Sequence, residues 1–178
     1  MQSELTFAIV PAGPSDAAEL ARVHIQAWRE TYADILPRGY LDRMSAPLHA
    51  RRWRARLMRM NEITLAAEGP DGLVGYASGQ WARDRDATDE GEVTTLYVLK
   101  AAQGGGLGKA LLVGVARALA AEGARSLVIW VLCENRPARG FYERMGGVAQ
   151  ETRREQVAGG AAPSVAYRWA DIGVLTRG

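Results

Sequence analysis

Cys133 is the only cysteine among 178 residues, so no internal disulfide can form and a stapled secreted scaffold is excluded. Long apolar runs are missing as well. The longest, Leu127 to Cys133, falls far short of the roughly 20 residues a membrane-spanning helix requires. The opening MQSELTFAIVPAG starts acidic rather than basic, and its apolar stretch is too brief for a signal peptide. The expected location is therefore the cytoplasm, with no membrane partner. Neither sign of charge dominates: 22 Lys+Arg face 20 Asp+Glu, for a formal +2. Such a balance gives no whole-chain field that would argue for nucleic acid. Lysine is nearly absent, with Lys100 and Lys109 the only two. Glycine (20) and proline (7) are spread along the chain rather than gathered into a tract, which excludes a collagen-like or low-complexity protein.

What is present is 48% hydrophobic residues with alternating periods. LTFAIV at 5–10 reads as a strand closed by Pro11, Gly13 and Pro14. Asp16 and Glu19 have the spacing of a capping box, followed by Leu20, Val23, Ala27 and Trp28 at helical intervals up to about Pro37. A second helix is predicted over 47–60, with Leu48, Trp53, Leu57 and Met60 as its apolar stripe and arginines elsewhere. ITLAAE, the turn at 69–72 and LVGYASGQW form a hairpin, and EVTTLYVL follows as a third strand in succession. A helix carrying Leu111, Leu112, Val115 and Leu119 ends at Gly123, SLVIWVL is a strand, RPARGFYERM is a short helix, and two strand candidates lie near 148–157 and 164–170.

Neither repeat nor linker interrupts this order, so residues 1–178 read as a single domain. Successive strands over 62–99 pair as antiparallel neighbours. The strand at 92–99, its helix and the strand at 126–132 form a crossover that makes those two parallel. The expected class is α/β (α+β): a mixed, mostly antiparallel central sheet flanked by helices.

The most informative segment is Gln103-Gly104-Gly105-Gly106-Leu107-Gly108-Lys109, between a strand and a strongly amphipathic helix. Glycines let the backbone approach a ligand, and a helix start offers unpaired N–H groups and a positive dipole end, so a pyrophosphate suits it. A Walker loop fails, because Gln103 and Ala110 stand where glycine and Ser or Thr are needed. A dinucleotide fingerprint fails too, with Lys109 and Leu111 in its last glycine positions. The spacing left is Gln103-x-x-Gly106-x-Gly108.

That spacing resembles the acyl-coenzyme A loop, Arg/Gln-x-x-Gly-x-Gly/Ala, of the GNAT superfamily of N-acetyltransferases. ENRPARGFYERMGG is similar to the family's later Asn-x-x-Ala-x-x-Phe-Tyr-Glu segment, and the element order agrees over roughly 4–170. The resemblance implies acetyl-CoA as cosubstrate, no metal, and direct transfer of acetyl to a primary amine of an unidentified acceptor. It implies that main-chain groups of Leu96, Tyr97 and Val98 meet the pantetheine arm, that a strand N–H there polarises the thioester carbonyl, and that Gln103 through Lys109 hold the pyrophosphate. Asn135 and Ala138 match family positions near the pantetheine, although Asn135 equally suits a helix N-cap. Tyr142 matches the family's proton donor to the coenzyme sulfur, and as part of the stripe Ala138, Phe141, Tyr142, Met145 it also suits a core aromatic. Glu92 matches a frequent family base, against the plainer reading of a solvated strand-end carboxylate.

His24, Trp28 and Tyr32 resemble a Val-His-x-x-x-Trp-x-x-x-Tyr pattern that borders the acceptor, with Trp28 and Tyr32 as substrate-binding candidates or as core. Asp84, Asp86, Asp89 and Glu90 read as a solvated acidic loop or an attractor of cationic amines. Arg51, Arg52, Arg54, Arg56 and Arg59 read as a solvated helix face rather than a nucleic-acid site. Neither histidine has metal-binding spacing with Cys133, which reads as a small core residue. The expected assembly is a monomer or homodimer. The competing class is a non-catalytic acyl-CoA-binding sensor, which would keep the glycine loop and need neither acid nor base. Two departures from the pattern are Gly147, where an aromatic commonly stands, and Gly140, which loosens the helix of Tyr142.

Overall fold

The computed structural model describes residues 7–82 and 89–177. A seven-stranded sheet runs in the order β1-β2-β3-β4-β5-β7-β6, with β1 Ala8–Pro11, β2 Glu62–Gly69, β3 Gly72–Trp81, β4 Glu90–Val98, β5 Ser126–Leu132, β6 Val148–Val157 and β7 Gly160–Trp169. The β4–β5 pair is parallel and every other ladder is antiparallel. The sheet is thus mixed and mostly antiparallel, as the crossover argument requires.

Strand alternation sends side chains to two differently covered faces. One face lies under α4 (Leu107–Ala121), α5 (Arg136–Arg144) and the terminal turn α6 (Gly173–Thr176). There Leu107, Leu111, Leu112, Val115 and Leu119 of α4 pack against Val93, Leu127, Ile129 and Val165. Each fully buried aliphatic side chain contributes roughly 1.5–3 kcal/mol of transfer free energy. The helix stops at Gly123, whose φ of 105° is the left-handed cap expected of it. The other face carries α1 (Ala17–Tyr32), α2 (Arg38–Asp42) and α3 (Ala46–Leu57), with Leu20, Val23, Trp53, Leu73 and Tyr76 as its inner layer.

Three local expectations are corrected. Asp16 and Glu19 do not cap α1: the Asp16 carboxylate accepts from Gly13 N, and Glu19 reaches across to accept from Leu73 N at 2.7 Å. A partner on β3 therefore outcompetes the helix's own amides. The first helix ends at Tyr32 rather than near Pro37, and Pro37 instead precedes a separate turn, α2. The stripe of α3 is narrower than its spacing suggests. Trp53 is buried, but Leu48 is exposed and Met60 lies fully exposed beyond the helix end.

Candidate active site

The site begins where one ladder stops. β4 and β5 pair from Glu90↔Ser126 to Val93↔Ile129 and no further. On its other edge β4 continues against β3 to Gly75↔Val98, with a register shift in which Ser78 opposes Thr95 and Gly79 opposes Val93. Thr94 is therefore an extra, bulged residue, and a bulge bends its strand and increases its twist. β4 leaves β5 at this point, and a gap opens between them.

Hydrogen bonding along β4 fixes what faces that gap. Leu99 N donates to Val74 O at 2.8 Å, so by the alternation of an antiparallel ladder Tyr97 also bonds β3, while Leu96 and Val98 turn their N–H and C=O groups away, toward the gap. Val98 O there accepts from Gln103 Nε2 at 2.9 Å. Of the three strand residues singled out, Leu96 and Val98 present main chain to the gap. Tyr97 presents its hydroxyl on the α1 face, 2.9 Å from that of Tyr32.

The glycine loop lies at the outer end of this gap and runs into α4. Gly104 and Gly106 have φ of 87° and 81°, a conformation that L side chains rarely adopt. A Cβ built on Gly104, Gly105 or Gly106 would meet nothing within 4 Å. The glycines are thus required by the turn and keep the approach to the backbone open, rather than making room for another part of the protein. Gly106 is the N-cap of α4 and no side chain caps it, so the amides of Leu107, Gly108 and Lys109 lack intrahelical acceptors. An anionic, phosphate-bearing group fits this cradle. Lys109 is exposed beside it. Gly108 packs close to Phe141, whose ring would lie 3.5 Å from a Cβ there, and this contact brings α5 against the start of α4.

α5 supplies Asn135, Ala138 and Tyr142. Asn135 is buried, and its Oδ1 accepts from Ala138 N at 3.3 Å, so the N-cap reading holds. Asn135 also sits close enough to Tyr32 to influence that hydroxyl, which brings the end of α1 near the start of α5. Tyr142 is buried among Phe141, Tyr167 and Trp169. Burial, reinforced by the neighbouring Tyr32, pushes its phenol well above the ordinary value, so it stays protonated throughout the neutral range. The departure at Gly147 has a plain cause: the Trp169 indole lies where a side chain would go, 2.8 Å from a built Cβ, anchored by its Nε1 donating to Met145 O.

On the α1 face the residues before the gap are charged and buried. Glu92 is buried, not a solvated strand end. Glu90 is no loop residue: it is the first residue of β4, buried, and ion-paired with Arg168, which also pairs with Glu151. Glu90, Glu92, Val128, Trp130, Arg153 and Arg168 surround a cavity of about 200 Å³. Asp84 and Asp86 lie outside the described residues.

Beyond the cavity an aromatic cluster closes over β3 and β4. His24 Nδ1 lies 2.6 Å from Tyr76 Oη, and burial, with His49 and Arg56 nearby, lowers the His24 pKa to about 3, so the ring is neutral. Trp28 stacks edge-on to Tyr32 and lies near Tyr97. Among the described residues, the buried side-chain atoms without a hydrogen-bond partner are Trp28 Nε1 and Thr95 Oγ1, both on this face. Buried polar atoms are normally satisfied, so each can take a partner from an ordered water or from a bound molecule.

Arg56 is one functional-face residue that the sequence reading assigned to solvent. Arg51, Arg52, Arg54 and Arg59 are exposed as expected, but the Arg56 guanidinium bonds Glu62, lies 4.9 Å from the Trp53 ring centroid, and donates from Nη2 to Thr94 Oγ1 at 2.6 Å. The available signal was its position three residues after Trp53, on the same side of the helix. Among the described residues, no group of three or more His, Cys, Asp or Glu is arranged to hold a metal ion, and no helix is long and apolar enough to cross a membrane.

Known proteins share this fold and sequence pattern. The N-acetyltransferase YuaI of Bacillus subtilis, described as uncharacterized, is 28% identical over 160 residues, covering 90% of this chain and 91% of its own. A mycothiol acetyltransferase of Streptomyces scabiei is 42% identical over 88 residues, 49% of this chain but 27% of that longer protein. PaiA N-acetyltransferase from Thermoplasma acidophilum, solved in complex with coenzyme A, superposes with a TM-score of 0.73 at 18% identity, over 93% of this chain and 100% of that one. Residues 25–147 match the sequence model of the acetyltransferase (GNAT) family. A mixed sheet that parts beside a glycine-rich helix start, with a family match over most of the chain, leads to one conclusion: this chain belongs to the GNAT family and is an acyltransferase.

Proposed function

We propose that the protein transfers an acetyl group from acetyl-CoA directly to a primary amine. The observation that carries this reading is the parting of β4 from β5 after Val93, which leaves the main chain of Leu96 and Val98 facing a gap that ends at the glycine loop. In this reading the amides of Gln103 through Lys109 hold the pyrophosphate, with Lys109 as a flanking charge, and Leu96 and Val98 align the pantetheine arm. Asn135 and Ala138 line the same arm. The bound cosubstrate contributes an activated thioester carbonyl.

The chain's own groups do the rest. The Leu96 N–H, held by the bulged strand, points where charge builds on the carbonyl oxygen, and a preorganised donor there costs no reorganisation. Glu92 accepts the proton of the attacking amine. Tyr142 Oη donates a proton to the departing sulfur. Its burial makes phenolate unfavourable, yet the same surroundings penalise a thiolate, so the proton neutralises a charge where none is tolerated. Trp28 and Tyr32 border the acceptor on the α1 face.

The test is a panel of amines incubated with acetyl-CoA and read by product mass, alongside calorimetry with acetyl-CoA and free coenzyme A. Coenzyme binding together with an acetylated amine is expected. Binding without any acetylated product would instead favour the sensor, and no binding would remove the assignment of the glycine loop.

A further inference from the structure

We propose that the cavity over β4, β5, β7 and β6 recognises a second, cationic group on the acceptor, and that Arg153 occupies that group's place in the free protein. The inference rests on the acetyl-transfer reading and adds the chemical class of the acceptor.

Four observations carry it. The cavity sits on the α1 face directly before the gap, with Glu92 in its wall and Leu96 four residues further along the same strand. The Arg153 guanidinium carbon lies 3.8 Å from the centroid of the Trp130 ring, and the same guanidinium pairs with Glu155. An aromatic face combined with a carboxylate is how proteins bind ammonium and guanidinium ions, and here the ion in place is the protein's own. Arg153 belongs to β6 at the edge of the sheet, with 47% of its side chain exposed, so it can swing into water at little cost, because exposed ion pairs contribute little. Arg168, the cavity's other cation, is held by Glu90 and Glu151 and is not displaced.

Glu155 also acts electrostatically on Tyr32 of α1, so its charge is felt on the α1 side of the sheet. A diamine entering here sets one cation between Trp130 and Glu155 and directs its other, neutral amine along the wall of Glu92 toward the gap. A carboxylate on the acceptor would instead meet Glu155 and Glu92, and would have to take Arg153 from Glu155 to be bound.

Putrescine, butylamine and γ-aminobutyrate separate these cases, since their far ends are cationic, apolar and anionic. Turnover with acetyl-CoA is expected to give a kcat/KM for putrescine about tenfold or more above that for butylamine, with γ-aminobutyrate lowest. In Glu155→Gln the putrescine-to-butylamine ratio falls toward one, and Trp130→Leu lowers it as well. Calorimetric titration of the coenzyme-saturated protein with putrescine gives a readout independent of chemistry: association in the wild type, weakened in Glu155→Gln, supports the cation site. No association, equal kcat/KM for all three probes, or a preference for γ-aminobutyrate that Arg153→Ala abolishes would overturn it. Failure of the parent reading looks different: no amine of any kind is acetylated although coenzyme A is bound.

Discussion

The two faces of the sheet use the same strands for different purposes. Under α4 the buried side chains are aliphatic and aromatic, and α4 itself contributes Leu107, Leu111, Leu112, Val115, Ala116 and Leu119. Under α1–α3 the alternate residues of those strands include Thr64, Ser78, Glu90, Glu92 and Ser164, all buried, joined by Arg56, His24 and the rings of Trp28, Tyr32, Tyr76 and Tyr97. Burying polar groups is unfavourable unless each is paired. The first face therefore supplies stability that the second spends on orienting groups around the gap. Substitutions on the two faces should accordingly separate, with folding lost under α4 and turnover under α1–α3, apart from Tyr142, which packs in the α4 face and serves the gap.

The sharpest break is Tyr142→Phe, which keeps the packing and removes one oxygen. It is expected to lower kcat by about 10²–10⁴, with coenzyme binding by calorimetry preserved and thermal unfolding little changed. Equal turnover in the two proteins would return Tyr142 to the core that surrounds it. Leu111→Ala is the counterpart on the same face, costing about 2–5 kcal/mol in urea unfolding, with kcat per folded molecule retained. Arg56→Ala sharpens the contrast from the other side. Glu62, whose side chain is 3% exposed, loses its partner, and Thr94 loses the donor that pins the bulge. Stability should fall by about 1–3 kcal/mol, and kcat should fall alongside it because the bulge aims Leu96.

How much of this was legible in the sequence follows the same division. The α4 face was readable because apolar period and glycine punctuation are local: Leu111, Leu112, Val115 and Leu119 mark the helix, Gly123 ends it, and the loop before it stands out by spacing alone. The parallel β4–β5 pair followed from the strand–helix–strand crossover between them. The α1 face was less legible because its structure is made of long-range pairs. Glu90 resembled its acidic loop neighbours until Arg168, from the far end of the chain, was seen beside it. Arg56 looked like one of five helix arginines until Thr94 and Glu62 claimed it. Met60 extended an apolar spacing past the point where the helix stops. The bulge at Thr94 left no mark at all, since Thr94-Thr95 is ordinary strand sequence and the extra residue is defined only against Ser78 and Gly79 of β3.

The faces are also separated by pH. His24 is neutral in the fold because burial lowers its pKa from 6.5 to about 3, so below pH 6.5 the unfolded chain takes up a proton that the folded one refuses. Its contribution is complete above pH 6.5 and is lost as pH falls toward 3, at up to about 1.4 kcal/mol per pH unit. Urea titrations between pH 7 and 4.5 should show this slope, and His24→Gln should flatten it. An unchanged slope in that variant would assign the acid sensitivity to the carboxylates instead.

The smallest change is a gain. Gly140 lies inside α5, two residues before Tyr142, and has an ordinary helical φ. A Cβ there would touch only Arg144 Nη1, at 3.3 Å, the free end of a flexible side chain. Nothing in the packing requires glycine, so Gly140→Ala should stabilise the protein by up to about 1 kcal/mol through the lost freedom of the unfolded chain. If Tyr142 works as a donor from a rigid perch, kcat holds or rises with the added stability. If kcat falls while the unfolding midpoint rises, α5 must move during turnover, and the glycine is kept for that motion rather than for the fold.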